Sequence, residues 1–159
     1  MRKLELVVGI GEYRVSRQKN AVLKTYALSS CVAVTAYSPA QQAAGMIHIA
    51  LPAPFTGAQG QLRPAYYAVT GVPLLIREMC AGFGCSRQEL IINLYGGAES
   101  IRPHDIFNIG RKNLQAVRQA LAQLNLTVKE ADVGGRVSRT LSMDVATGLI
   151  KTVTQPLTI

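Results

Sequence analysis

Residues 31–51 read CVAVTAYSPAQQAAGMIHIAL, and this stretch decides the fold. It holds two apolar runs, residues 31–37 and residues 45–51, on either side of Ser38-Pro39-Ala40. Both runs contain β-branched residues and are short for helices, so each favours a strand. Serine and proline between two such runs are typical of a turn. The stretch therefore predicts an antiparallel β-hairpin.

The position of the turn predicts which residues of the hairpin face each other. A turn centred between Pro39 and Ala40 places Cys31 directly opposite His48. Opposed residues have Cβ atoms about 4.5–5.5 Å apart on one face of the sheet. At that separation an imidazole can take the thiol proton and leave the nucleophilic thiolate. A shift of one residue would send the two side chains to opposite faces.

Strand-like segments also fill both ends of the chain. Their alternation and β-branched content predict strands over Leu4 to Val8, Tyr13 to Val15, Leu23 to Tyr26, Leu90 to Leu94, Leu126 to Ala131, Val137 to Met143 and Leu149 to Thr154. The last two flank residues 144–148, whose sequence is typical of a hairpin turn.

Two helices are predicted among these strands. One lies between Asn108 as a cap and Asn125 as a left-handed stop, because apolar residues recur there every three or four positions: Leu114, Val117, Leu121 and Leu124. The other runs from residue 65 to residue 81, with Gly71 and Pro73 delaying its start or kinking it. Short strands with two main helices predict an α+β or α/β sandwich, in which the helices pack on a mixed, mostly antiparallel sheet.

Length and composition are typical of one globular domain. The chain has 159 residues, of which 48% are hydrophobic, and no repeat or linker divides it, so we expect a single domain over residues 1–159. No stretch approaches the roughly 18 apolar residues of a membrane span. The apolar run after Met1-Arg2-Lys3 is interrupted by Glu5 and is too short for the apolar core of a signal peptide. Three cysteines, an odd number, fit a reducing compartment. We expect a cytoplasmic protein that does not insert into membranes.

The chain is basic, with 17 Lys and Arg residues against 9 Asp and Glu residues and a net charge of +8. This excess favours an acidic partner. The basic residues are scattered, and the chain has three Phe, six Tyr and no Trp. That pattern is not typical of nucleic-acid binding, which uses basic runs and aromatic residues together.

Cys31 and His48 are the candidate catalytic residues. Each has a structural alternative by itself, because free cysteine is often only buried and a lone strand histidine is more often structural. Their predicted register favours catalysis, with Cys31 as nucleophile and His48 as general base. Ser29 and Ser30 form a small polar turn whose backbone N–H groups can receive a developing oxyanion. Thr25 shares the parity of Cys31, which makes it a candidate to bond the other ring nitrogen of His48.

A zinc site is a competing use of the same thiol and imidazole. Cys80 and Cys85 would complete a Cys₃His ligand set with Cys31 and His48. The five-residue step from Cys80 to Cys85 is wide for a zinc knuckle, and the apolar surroundings of Cys80 are typical of a core. We expect no metal and no cofactor. The pair Gly96-Gly97 lacks the residues of a phosphate-binding loop and indicates a turn.

Five segments of the chain together match a known pattern. They are Thr25-x-x-Leu28-x-Ser30-Cys31-Val32-Ala33-Val34, Gly45-Met46-x-His48-x-x-Leu51-Pro52, Gly96-Gly97-Ala98, Ile109-Gly110-x-x-Asn113 and Asp132-Val133-Gly134-Gly135. In these segments the chain resembles the CheD family of bacterial chemotaxis proteins, the chemoreceptor glutamine deamidases. It departs from the usual family pattern at Ser29, Ala44, Asn93 and Ser138.

The resemblance implies an activity and its residues. It implies hydrolysis of receptor glutamines to glutamate with loss of ammonia, through a thioester on Cys31 and with His48 and Thr25 completing a triad. It also implies receptor methylesterase activity in some members, and a CheC-type phosphatase as a partner in some. We expect a monomer.

Two other functions stay open from the sequence. A papain-like hydrolase would place its nucleophile at the start of a helix and its histidine much farther along the chain. A non-catalytic basic module that regulates a CheC-type phosphatase needs no reactive thiol.

Overall fold

The computed structural model describes residues 2–157. Within that range the strands are β1 (Leu4–Val7), β2 (Tyr13–Ser16), β3 (Ala21–Leu28), β4 (Val32–Ser38), β5 (Ala43–Ile49), β6 (Ile91–Gly96), β7 (Val128–Val133), β8 (Val137–Asp144) and β9 (Ile150–Pro156). The α-helices are α1 (Gly57–Leu62), α2 (Ala68–Arg77) and α3 (Ile109–Gln123). Every predicted strand is present, although the ends shift by one or two residues.

The strands form two sheets. A four-stranded sheet has the order β1-β3-β8-β9, and a five-stranded sheet has the order β2-β5-β4-β6-β7. The pairs β1–β3 and β6–β7 are parallel, and the other neighbours are antiparallel. This confirms the predicted mixed, mostly antiparallel sandwich.

The four-stranded sheet, the five-stranded sheet and the helices stack in that order, and an apolar layer of side chains fills each of the two interfaces. The apolar layer between the sheets is built around Leu23, Met46 and Leu141. The helices α2 and α3 cover the other face of the five-stranded sheet, against Val34 and Ile47 among others. The central strands β4 and β5 are therefore buried on both faces, and every residue in them is buried. Burial on both faces explains why both runs of the hairpin are apolar throughout.

The hairpin is present, but its predicted register is wrong. Ala33, rather than Cys31, lies opposite His48, and Ser38 pairs with Ala43. A two-residue hairpin turn of the favoured type needs a positive φ at both central residues, which the ring of Pro39 forbids. The turn therefore takes four residues, and Gln42 adopts the left-handed φ of 49°. Cys31 and His48 still share a face, because the register moves by two residues.

Both predicted helices are present with local differences. The first begins as a 3₁₀ turn (Pro64–Tyr66), continues as α2 and ends in a π-helical turn (Glu78–Gly82). Asn125 ends α3 with a φ of 56°, as predicted. Asn108 stands at the start of α3, but its side chain makes no capping hydrogen bond there. The sequence did not predict α1, a Gly- and Gln-rich helix of six residues that Thr56 caps through Gln59.

Candidate active site

Thr25, Cys31 and His48 all face the apolar layer between the sheets. Thr25 belongs to β3 of the four-stranded sheet, and His48 belongs to β5 of the five-stranded sheet. Cys31 directly precedes β4 and packs against the same apolar layer. All three side chains point into this layer because they alternate in step with its core residues Leu23, Ala33 and Met46. The site is thus assembled across two sheets.

A hydrogen-bonded chain fixes the histidine ring. The hydroxyl of Thr25 lies 2.6 Å from the carbonyl oxygen of Val8 and 2.8 Å from Nδ1 of His48. Its single hydrogen goes to the carbonyl of Val8, which can only accept. Nδ1 of the neutral ring must therefore carry a proton and donate it to Thr25. This leaves the lone pair of the imidazole on Nε2, the nitrogen available to act as a base.

The main chain of His48 is held by the segment that follows Val8. Its carbonyl oxygen accepts from Gly11 N–H at 2.8 Å, and its N–H donates to the Glu12 carbonyl at 3.0 Å. The ring is buried, with 2% of the residue exposed. Within residues 2–157, Nε2 has no hydrogen-bond partner. Burial lowers the pKa of His48 from 6.5 to about 4, because the charged ring loses its hydration. His48 is therefore neutral at physiological pH.

The buried neutral histidine predicts acid-dependent stability. Unfolded His48 takes up a proton below about pH 6.5, whereas the folded protein excludes that proton until about pH 4. This contribution to stability is complete above pH 6.5 and is lost as the pH falls towards 4, by about 3 kcal/mol in the free energy of unfolding. Urea unfolding at pH 7 and pH 4 measures the loss.

A variant without the buried ring is the control for this prediction. In His48→Asn the drop between pH 7 and pH 4 should shrink, whereas His104→Gln, at an exposed position, should keep it. An equal drop in the wild type and His48→Asn would contradict the assignment to His48.

Cys31 is partly exposed, and its thiol is diagonal to the histidine ring rather than opposite to it. Diagonal neighbours on one face are roughly 7–8 Å apart, with their Cβ atoms somewhat closer, which is within reach of an aromatic side chain. Burial raises the pKa of the Cys31 thiol above its ordinary value of 9.0. Together with the lowered pKa of His48, this makes the resting pair a neutral thiol and a neutral imidazole instead of an ion pair.

The backbone around Cys31 is held through three successive carbonyl groups. Ser29 O accepts from Ala98 N–H at 2.7 Å, and Cys31 O accepts from Gly97 N–H at 2.8 Å. Between them, Ser30 O accepts from Nδ2 of Asn113 at 2.9 Å. Among the residues that the structure describes, nothing accepts a hydrogen bond from the N–H groups of Ser30 and Cys31. These two N–H groups are therefore the candidate donors to an oxyanion.

Glycine makes the close approach to Cys31 possible. A Cβ on Gly96 would lie 2.2 Å from the Cys31 carbonyl oxygen, and a Cβ on Gly110 would lie 2.1 Å from the Ala98 carbonyl oxygen. From the sequence alone, Gly96 indicates only a turn, and Gly110 indicates no structural role. The sequence signal for these contacts is that Gly96-Gly97-Ala98 and Ile109-Gly110-x-x-Asn113 occur in one chain. Its meaning becomes clear only in the structure, where both segments contact residues 29–31, here called the cysteine loop.

A cavity of about 200 Å³ lies beside the cysteine loop. Its walls include Ser29 and Ser30, the two residues before Cys31, and the start of α3 at Ile109 and Gly110. The exposed loop after Ala98 forms the outer wall. The two predicted serines therefore line a recess beside the backbone that precedes Cys31.

The proposed zinc ligands are not brought together. Cys80 and Cys85 lie with the helical layer, whereas Cys31 and His48 lie between the sheets. The five-stranded sheet separates the two pairs, so the Cys₃His set is excluded. Over residues 2–157 no three His, Cys, Asp or Glu side chains are grouped as metal ligands. In the same range, no helix has the length and apolar character needed to cross a membrane.

Comparison with known proteins first identifies the fold. A crystal structure titled as the hypothetical protein YfiH of Bacillus licheniformis superposes with a TM-score of 0.50 and 14% identity. The superposition covers 76% of this chain and 49% of that one. At this identity the likeness shows a shared fold only.

Closer relatives match almost the whole chain. A protein of Syntrophotalea carbinolica named probable chemoreceptor glutamine deamidase CheD is 45% identical over 149 residues, covering 92% of this chain and 91% of the relative. A protein of Pyrococcus horikoshii with the same name is 36% identical over 151 residues, covering 92% and 90%.

A family model agrees with these relatives. The model described as CheD chemotactic sensory transduction matches residues 50–154, which is more than half of the chain. That range contains Gly96, Gly110 and Asn113. Thr25, Cys31 and His48 precede it, but they lie within the part of the chain that the relatives share. The sequence resemblance is thereby confirmed, and the chain belongs to the CheD family.

Proposed function

We propose that this protein hydrolyses the side-chain amides of particular glutamines in the cytoplasmic helical domain of chemoreceptors, giving glutamate and ammonia. One observation supports this most: the Thr25–His48 hydrogen bond leaves Nε2 as a free base on the sheet face that a partly exposed cysteine shares. The relatives named as chemoreceptor glutamine deamidases indicate the substrate.

The first step transfers one proton and forms one bond. The Sγ–H proton of Cys31 passes to Nε2 of His48 as Sγ attacks the carbonyl carbon of the glutamine amide. The carbonyl π electrons move to oxygen, and the N–H groups of Ser30 and Cys31 stabilise that oxyanion. Because both resting groups are neutral, charge separates only as the tetrahedral intermediate forms, where these donors act.

The second step expels ammonia. The imidazolium of His48 returns its proton to the amide nitrogen, the C–N bond breaks and a thioester remains on Cys31. Burial makes the imidazolium a stronger acid than an exposed one, which suits protonation of a poor leaving group. Water then gives a proton to Nε2 as its oxygen attacks the thioester carbonyl carbon. The C–S bond breaks, the imidazolium returns the proton to Sγ, and the product carboxylic acid ionises to glutamate.

The charge of the protein suits an acidic partner. Its net charge of +8 would raise the encounter rate with an acidic receptor surface at low ionic strength. We further propose that the protein acts in the cytoplasm as a monomer and that a CheC-type phosphatase restrains it.

Mass spectrometry of a treated receptor tests the proposal directly. A purified chemoreceptor cytoplasmic domain, incubated with the protein, should gain about one dalton at particular glutamines, since hydrolysis replaces an amide by an acid. No gain at any glutamine would contradict the proposal. If the protein then still bound a CheC-type phosphatase, the non-catalytic binding module would be the better description.

A further inference from the structure

Asn113 is a buried polar side chain that contacts the chain just before β4 and just after β5. It lies on α3, is fully buried and donates two hydrogen bonds from Nδ2. One goes to Ser30 O at 2.9 Å and the other to Ala50 O at 3.0 Å. Both acceptors are carbonyl oxygens, so the amide nitrogen rather than the amide oxygen must face them.

The two carbonyl groups lie where the hairpin ladder ends. The last pair of the β4–β5 ladder is Val32 with Ile49. Beyond it the chain turns away, and the N–H groups of Ala50 and Leu51 both donate to Tyr66 O. The Asn113 amide therefore links the two chains where the next β4–β5 backbone hydrogen bond would lie. It connects Ser30, just before Cys31, to Ala50, which follows β5.

This contact fixes the orientation of one peptide group. The C=O of Ser30 and the N–H of Cys31 belong to the same trans peptide and point in opposite directions. Asn113 approaches from the helical layer, whereas the Cys31 side chain packs in the layer between the sheets. Holding the carbonyl towards α3 thus turns the Cys31 N–H away from the helix.

We propose that Asn113 is a positioning residue for this reaction: it holds the Ser30–Cys31 peptide so that the Cys31 N–H faces the oxyanion of the substrate. This role rests on the proposed function. An oxyanion donor acts only where charge develops, and a displacement of about 1 Å can reduce the rate about 10²-fold. Loss of the clamp should therefore reduce kcat and leave KM unchanged.

A comparison of two reactions separates this role from a purely structural one. Deamidation passes through an oxyanion, whereas alkylation of Cys31 by iodoacetamide forms an S–C bond as the C–I bond breaks, with no oxyanion. The variants are Asn113→Ala and Asn113→Leu. Both remove the two hydrogen-bond donors; alanine is smaller than asparagine, and leucine is similar to it in volume. Val117→Ala, one turn along the same buried face of α3, is the matched control for lost packing.

The expected result is a selective effect on deamidation. In both Asn113 variants, kcat with the receptor domain should fall about 10- to 100-fold while KM and the Cys31 alkylation rate stay unchanged, at temperatures below the measured Tm. Val117→Ala should keep kcat. Equal losses of kcat and alkylation rate, or an unchanged kcat, would overturn the role of Asn113 while the wild-type activity keeps the proposed function. An inactive wild type would overturn both.

Discussion

Replacing Cys31 by serine should reduce deamidation by on the order of 10⁴-fold or more, a loss typical of removing a nucleophile from a catalytic unit. The serine hydroxyl is far less acidic than a thiol, and His48, with a pKa of about 4, is a weak base. The imidazole therefore cannot deprotonate the hydroxyl efficiently. The measurement is the rate of the one-dalton gain on the receptor domain, together with the circular dichroism spectrum of the variant.

The other cysteines supply the control for Cys31. Cys80 is partly buried on the far side of the five-stranded sheet, away from the site. Cys80→Ser should keep the wild-type rate. A Cys31→Ser variant that folds and retains the wild-type rate, or a Cys80→Ser variant that loses activity as completely, would show that the nucleophile is not Cys31.

His48→Asn should reduce kcat/KM by about 10²- to 10⁴-fold, the range for a lost general acid–base. The amide of asparagine can still bond Thr25 but cannot carry the proton of the thiol.

The pH profile of the wild-type enzyme should also identify His48 as the titrating group. Activity requires the neutral ring, so kcat/KM should fall with acid only as the pH passes through about 4. An acid limb near pH 6.5 would contradict the buried, neutral histidine.

Thr25→Val is the graded companion to this variant. Valine keeps the shape of threonine but offers Nδ1 no acceptor, so the proton is no longer held on that nitrogen. The loss in kcat/KM should be smaller than in His48→Asn, because the base itself remains. A Thr25→Val variant with wild-type kcat/KM would show that the ring is held by its backbone contacts alone.

Local patterns in the sequence were sufficient to predict the strands and the two main helices. Alternation along β3 and β8 marks a half-buried sheet, and the continuous apolar runs of β4 and β5 mark strands covered on both faces. The register of the hairpin was wrong because the turn was centred by symmetry, without the constraint that Pro39 places on φ. The helix α1 was missed since its glycines and glutamines carry no apolar period.

The active site likewise contains residues that the sequence predicts and residues that only the structure identifies. Residue type and parity predict Cys31, His48 and Thr25, and all three face one apolar layer in the structure. Asn113 and Gly96 could not be interpreted from sequence because they act on Cys31 across 82 and 65 positions of the chain, through contacts that exist only after folding. A polar residue inside an amphipathic helix is ambiguous until its acceptors are known.

Residues 8–12 hold His48 through their backbone: the Val8 carbonyl through Thr25, the Gly11 N–H and the Glu12 carbonyl. None of these contacts depends on which side chain the segment carries there, apart from the φ of 72° at Gly11, which favours glycine. Exposed positions such as Ile10 can therefore change side chain without loss of these contacts, whereas Val8 is also buried in the core between the sheets. Replacing residues 8–12 by a segment with a different backbone path would shift the His48 ring and disturb proton transfer, even with Thr25, Cys31 and His48 unchanged.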